Sequence, residues 1–109
     1  MEPINLWNVY RIFDMATEID VKEILKERGS RYGSYTHVAF VAQRLKNVCR
    51  DSTNWTQRRL SPIQQESLDM ICNKLSRILN GDPKYRDSWA DIAGYAQLVV
   101  DDLDEAPKL

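Results

Sequence analysis

The chain has 109 residues, of which 43% are hydrophobic and 28% charged, with a net charge of −1. That is one globular domain, long enough to build a core without disulfide or metal staples. No apolar run approaches the roughly 18 residues of a membrane span, and the start MEPINLW lacks the pattern of a signal peptide, so a cytoplasmic protein with no membrane partner is expected.

The small net charge hides an asymmetry. Residues 28–86 carry +7, between ends of −3 (residues 1–27) and −5 (residues 87–109). A general DNA binder would be basic throughout, so general DNA binding is not expected. A compact anion such as a nucleotide needs only a local positive field. A basic middle neutralised by acidic ends within the fold is the plain alternative.

In chain order, Leu6, Val9, Tyr10 and Phe13 recur at helical spacing, which predicts an amphipathic segment in an N-terminal extension over residues 1–16. Thr17 can cap a second helix running to about Arg28, with Gly29 as its stop and Arg28-Gly-Ser-Arg-Tyr-Gly33 as a loop. A third helix begins at Ser34 or Thr36 and runs to about Arg50, with Val38, Val41, Ala42, Leu45 and Val48 or Cys49 on its apolar stripe. Residues 51–60 read as a polar connection anchored by Trp55.

Ser61-Pro62-Ile63-Gln64 is a helix start, with a serine cap, proline in the first turn and glutamine closing a capping box. Leu68, Ile71, Cys72, Leu75, Ile78 and Leu79 then trace one face up to the Asn80-Gly81 stop. A last helix is expected over residues 86–103, burying Trp89, Ile92, Ala93, Ala96, Val99, Val100 and Leu103, before a frayed tail at 104–109. No strand stands out. The expected fold is all-α, a four- or five-helix bundle in which residues 62–80 and 86–103 form an antiparallel hairpin.

That hairpin carries the main functional candidates. Lys74 and Arg77 lie one turn apart on its first helix, off the apolar stripe, and Asp87, Asp91 and Tyr95 share a stripe on its second. Facing pairs of opposite charge make either an ion-pair seam, worth little where solvated, or the floor of a pocket in which Lys74 and Arg77 grip phosphate. Arg28, Arg31 and Tyr32 form a second patch, where glycines let backbone amides approach a phosphate and the tyrosine can stack on a base. Its plain alternative is a helix end followed by a turn. His37 has no His or Cys companion, no nucleophile–base grouping is apparent, and Cys49 and Cys72 read as reduced, buried thiols. No catalytic residue, metal site or cofactor is therefore assigned.

The segments RGSRYG (28–33), KLSRILNG (74–81) and DSWADIAGYA (87–96) together resemble a phage and prophage family of unknown function, over about residues 17–103. More distantly, the layout is similar to the all-α nucleotide pyrophosphatases of the MazG type, which hold magnesium with E-x-x-E and E-x-x-D on consecutive helices. Aligned on that pattern, Lys74 and Arg77 stand in for the first pair and Ser88 and Asp91 for the second, leaving one carboxylate of four. Two cations would repel a hard metal that needs oxygen ligands. The phage resemblance implies a small viral accessory protein but no activity. With a nucleotide pocket outliving the lost metal chemistry, the expected function is a phage protein in the host cytosol that binds a nucleotide or cyclic nucleotide-type signal without turnover, and by biological analogy sequesters it to counter host defence. One alternative is a surviving magnesium-dependent hydrolase using Asp87, Asp91 and Glu66 or Asp69. Another is an inhibitor of a host protein. A homo-oligomer is expected, on the conspicuous aromatics Trp7 and Tyr10 outside the apolar stripes.

Overall fold

A computed structural model describes residues 20–105; the expectations for Leu6–Phe13, Thr17, Trp7, Tyr10 and the last four residues lie outside them. The fold is an all-α helical bundle, and no strand occurs among the described residues. Its helices are α1 (residues 20–32), α2 (Tyr35–Arg50), the single turn α3 (Thr53–Thr56), α4 (Pro62–Asn80) and α5 (Arg86–Glu105). None of the described helices is long and apolar enough to cross a membrane.

The start of α4 follows the sequence closely. Ser61 Oγ accepts from the Gln64 amide at 3.3 Å, and the Ser61 amide donates to Gln64 Oε1 at 2.9 Å, with Pro62 in the first turn. α2 runs antiparallel to α4: Arg50 at its end reaches Asp69, while Ser76 Oγ donates to the Val38 carbonyl near its start at 2.5 Å. α5 returns along the opposite flank of α4, and α2 and α5 do not touch. α4 is therefore the middle helix of an open row.

Small side chains set the helix spacing. The buried residues among those described are Ala42 and Cys72 together with Ser67, Ser76 and Ser88. The expected large core residues Leu68, Leu75, Ile78, Ile92 and Val99 are only half-buried, because a row of helices covers each apolar stripe from one side. Trp89 is 53% exposed, contrary to expectation, and donates its indole N–H to the Pro83 carbonyl. Ala93, Ala96, Val100 and Leu103 are exposed as well, as is Leu79 on α4. The stripe of α5 that meets α4 is instead Ser88, Ile92, Tyr95 and Val99. Tyr95 thus belongs to the packed side rather than to a polar face with Asp87.

Two further boundaries move. α1 does not stop at Gly29; it continues through Tyr32, and the left-handed residue that ends it is Gly33, at φ +87°. α5 continues to Glu105. Gly81 ends α4 as expected but has φ −121°, so left-handed geometry is not its role. A Cβ on Gly81 would collide with the backbone of Arg31 and Tyr32, and one on Gly33 with the Asn80 carbonyl. The end of α1 and the α4–α5 turn are packed backbone to backbone, sealed by the Asp82 amide donating to the Arg31 carbonyl at 2.6 Å.

Cys49 and Cys72 are both free thiols, with their sulfurs 3.7 Å apart across the α2–α4 contact. Burial, reinforced by the bond to Cys49, pushes Cys72 up to about 11. At pH 8 the alkylating form of Cys72 is scarce, so iodoacetamide should label Cys49 first and Cys72 only after unfolding, as mass mapping of the modified chain would show. Above pH 9 the unfolded thiol ionises before the folded one, so this group's contribution to stability falls as the pH rises toward 11.

The glycine junction gives a second test. Gly81→Ala should destabilise the fold by about 2 kcal/mol or more, since backbone must move to admit the methyl group. Gly94→Ala, at a helical position with nothing within 4 Å, should instead stabilise it by about 0.5–1 kcal/mol. Denaturant melts of the two variants would check the contrast.

Candidate functional site

The site is built around the glycine junction. Because Gly33 and Gly81 hold the end of α1 against the turn, Tyr32 is delivered beside α4. The Arg77 guanidinium lies over the Tyr32 ring, 4.6 Å from its centroid. Tyr32 meets Tyr85 edge to face at 5.6 Å, and Arg31 stacks on Tyr85 at 5.0 Å. Arg77, Tyr32, Tyr85 and Arg31 thus form a row of two rings in edge contact with a cation at each end, each contact favourable by the quadrupole of the aromatic ring. Arg31 also donates to the Tyr85 hydroxyl at 3.1 Å and pairs with Glu27 one turn earlier. The Tyr85 hydroxyl donates to Asp87 Oδ2 at 2.9 Å, and that bond holds Tyr85 above its ordinary range.

Beside this stack opens a cleft of about 770 Å³ between α1, the start of α2 and α4. Among the described residues its charged lining is Arg28, Lys46 and Arg77, with no carboxylate. Tyr32 and Tyr35 supply aromatic faces, and Leu25, Val38, Ala39 and Ala42 an apolar floor. Gln43, Asn73 and Ser34 add polar groups. Among the described residues the Asn73 amide has the Met70 sulfur alone as a partner, at 3.8 Å. Ser34 caps α2 without a side-chain hydrogen bond and lines the same opening.

The eight residues singled out from sequence divide. Arg28, Tyr32 and Arg77 line the cleft. Lys74 does not: its ammonium lies 3.1 Å from Asp91 Oδ2, on the α5 side of α4, with 12% of its side chain exposed against 48% for Asp91. Asp87 is paired with Tyr85, not with Arg77. Tyr95 packs on the far flank, and Arg31 is occupied by Tyr85 and Glu27. The basic and acidic pairs therefore do not face each other as a set. Lys74 and Asp91 form a seam across the hairpin, while Arg77 turns the other way to the cleft.

Lys46, Gln43 and Asn73 were missed. The signal for Lys46 is its place four residues after Ala42 and eight after Val38, where a lysine interrupts an inward stripe. Asn73 precedes Arg77 by one turn of α4, and that spacing puts both on one face.

Among the described residues no three His, Cys, Asp or Glu side chains come together to hold a metal ion. Asp69 is drawn to Arg50 on the α2 side of α4, whereas Asp91 bonds Lys74 on the α5 side. Asp69 and Asp91, two of the donors of the hydrolase alternative, thus lie on opposite sides of α4.

Comparison with protein-family models, with curated proteins and with solved structures finds no match. What the chain does has to be read from its own geometry.

The division of the charges is testable. Asp91→Asn leaves the largely covered Lys74 without its counter-ion and should cost about 1–3 kcal/mol, between the values for exposed and buried pairs. Asp87→Asn, at an exposed position, should cost under about 1 kcal/mol. Thermal unfolding of the two variants side by side checks the order.

Proposed function

We propose that this chain binds a nucleotide or nucleotide-derived anion, such as a cyclic nucleotide signal, in the cleft between α1, α2 and α4, and does not turn it over. One observation carries the reading: a cleft of about 770 Å³ has Arg28, Lys46 and Arg77 on its wall, and none of the described residues lining it is a carboxylate. Volumes of this order suit a small-molecule ligand. Arg77, fixed flat against Tyr32, keeps its outer N–H edge for phosphate oxygens. Tyr35, 84% exposed at the mouth, offers a face for a base. The Asn73 and Gln43 amides can both donate to and accept from a base edge.

The absence of a metal-binding cluster among the described residues favours binding over hydrolysis. The resemblance to a phage family supports a role in an infected cell, where a small protein that holds a host signal and never releases it as product would blunt a defence response. That step is biological analogy and stands apart from the residue chemistry.

Heating purified protein and reading the ultraviolet and mass spectra of what is released identifies the ligand. Arg77→Glu should abolish binding of that ligand, at least a hundredfold in affinity, because a bidentate cation becomes a like charge. Helix content by circular dichroism should stay near that of the unchanged chain. Lys74→Glu should instead disturb the hairpin and leave the cleft's charge set intact. Metal-dependent release of phosphate from the same ligand would replace this reading with the hydrolase one.

A further inference from the structure

α5 carries two apolar stripes, and α4 covers only one of them. Ser88, Ile92, Tyr95 and Val99 face α4. Trp89, Ala93, Ala96, Val100 and Leu103 form a second stripe, spaced alternately four and three residues apart, and all five are exposed. Alternating fours and threes keep side chains in line along a helix, which is the spacing of a helix–helix seam. At about 100° per residue the two stripes lie about 90° apart around α5. The second is therefore a ready surface with nothing among the described residues against it. Three of its residues are large: Trp89 is 53% exposed, Val100 47% and Leu103 57%.

From this pattern we infer that the exposed stripe is a homodimer interface, in which α5 of one copy packs antiparallel against α5 of a second. The stripe is self-complementary under a two-fold axis near Tyr95. Ala93 and Ala96 sit at its middle, where their small side chains let two helix backbones come close. Trp89 at one end meets Val100 and Leu103 from the other copy's opposite end. An isologous contact requires this kind of self-matching.

Charge fixes the direction. Arg86 and Asp104 lie on the same flank of the stripe, at opposite ends of the helix. In the antiparallel arrangement Arg86 of each copy comes level with Asp104 of the other, giving two symmetric pairs. A parallel arrangement would give no Arg86–Asp104 pair, and would gather both basic Arg86 at one end and the acidic Asp101, Asp102, Asp104 and Glu105 of both copies at the other. Like charges brought together in this way are destabilising.

Light scattering should give a mass twice the 12.7 kDa of one chain, or a multiple of that. Ala96→Arg should reduce it to a single chain with circular dichroism unchanged, since position 96 is exposed in the isolated copy. Arg86→Asp should weaken association roughly tenfold or more, from two lost pairs, and adding Asp104→Arg should restore it. Under mild oxidation Ala96→Cys should give a covalent dimer that the unsubstituted chain does not. Leu103→Cys, in a dimer of the same mass, should not, because the two thiols would stand about 24 Å apart along the antiparallel pair. A single-chain mass for the unsubstituted protein overturns the inference. So does an oligomer indifferent to Ala96→Arg, which would move the contact to another face such as Phe40 and Val48 on α2. Ready cross-linking through Leu103→Cys would overturn the antiparallel direction.

Discussion

Everything that makes a site in this chain depends on one close contact between two stretches of backbone. Gly33 sits on the Asn80 carbonyl and Gly81 on Arg31 and Tyr32, with no room for a Cβ on either side. That approach turns three separated sequence segments into neighbours. Tyr32 reaches Arg77, Arg31 reaches Tyr85, and the Asp82 amide closes on the Arg31 carbonyl. Side chains alone could not draw α1 this tightly onto the hairpin, because its residues 20–30 are exposed along their whole length. The cleft is the space left between α1 and α4 when they are joined at one end by this junction and spread apart by α2.

The fold class and the individual helices were legible wherever the signal was local. Capping by Ser61 and Gln64 needs only four consecutive residues, and the structure has both of its hydrogen bonds. Choice between two nearby glycines was not legible. Gly29 and Gly33 both stand where a helix could end, and only the contact with Asn80 selects Gly33 for the left-handed position. The orientation of α5 failed for a similar reason. Hydropathy ranks Trp89 as a core residue and Ser88 as a surface one. α4 and α5 approach through small groups, so the serine is buried and the tryptophan remains outside with its N–H on the Pro83 carbonyl. Periodicity reveals that a helix has a stripe; it does not say which of two stripes is covered first.

Charge was read correctly as a concentration and wrongly as a set of pairs. Lys74 and Arg77 look equivalent in sequence, one turn apart and opposite two aspartates one turn apart. Their 300° separation on the helix, about 60° measured the short way, is enough to send them to opposite sides of an α4 flanked by different partners. Lys74 finds Asp91 on α5. Arg77 finds Tyr32 from α1, and a ring face holds a guanidinium without neutralising it. This difference decides what each cation can do. A paired lysine contributes to the hairpin and little else, whereas a stacked arginine keeps its charge and its donors for a ligand. Tyr85 completes the separation by taking up Asp87, so that acid is kept from Arg77 as well.

The cleft and the exposed stripe of α5 are separated by α4. No residue of α5 lines the cleft, and α5 does not touch α2. Pairing two copies through α5 would therefore leave both clefts open, one on each outer side of the assembly, with their positive walls far apart. Their like charges would then repel only weakly across the dimer, screened by solvent over a distance well beyond the Debye length of about 8–10 Å. Two anions could be held with no electrostatic penalty of one upon the other. Assembly in that arrangement doubles the binding capacity of a particle without changing the affinity of either site, and this is the arrangement that holding a signal, as opposed to sensing it cooperatively, calls for.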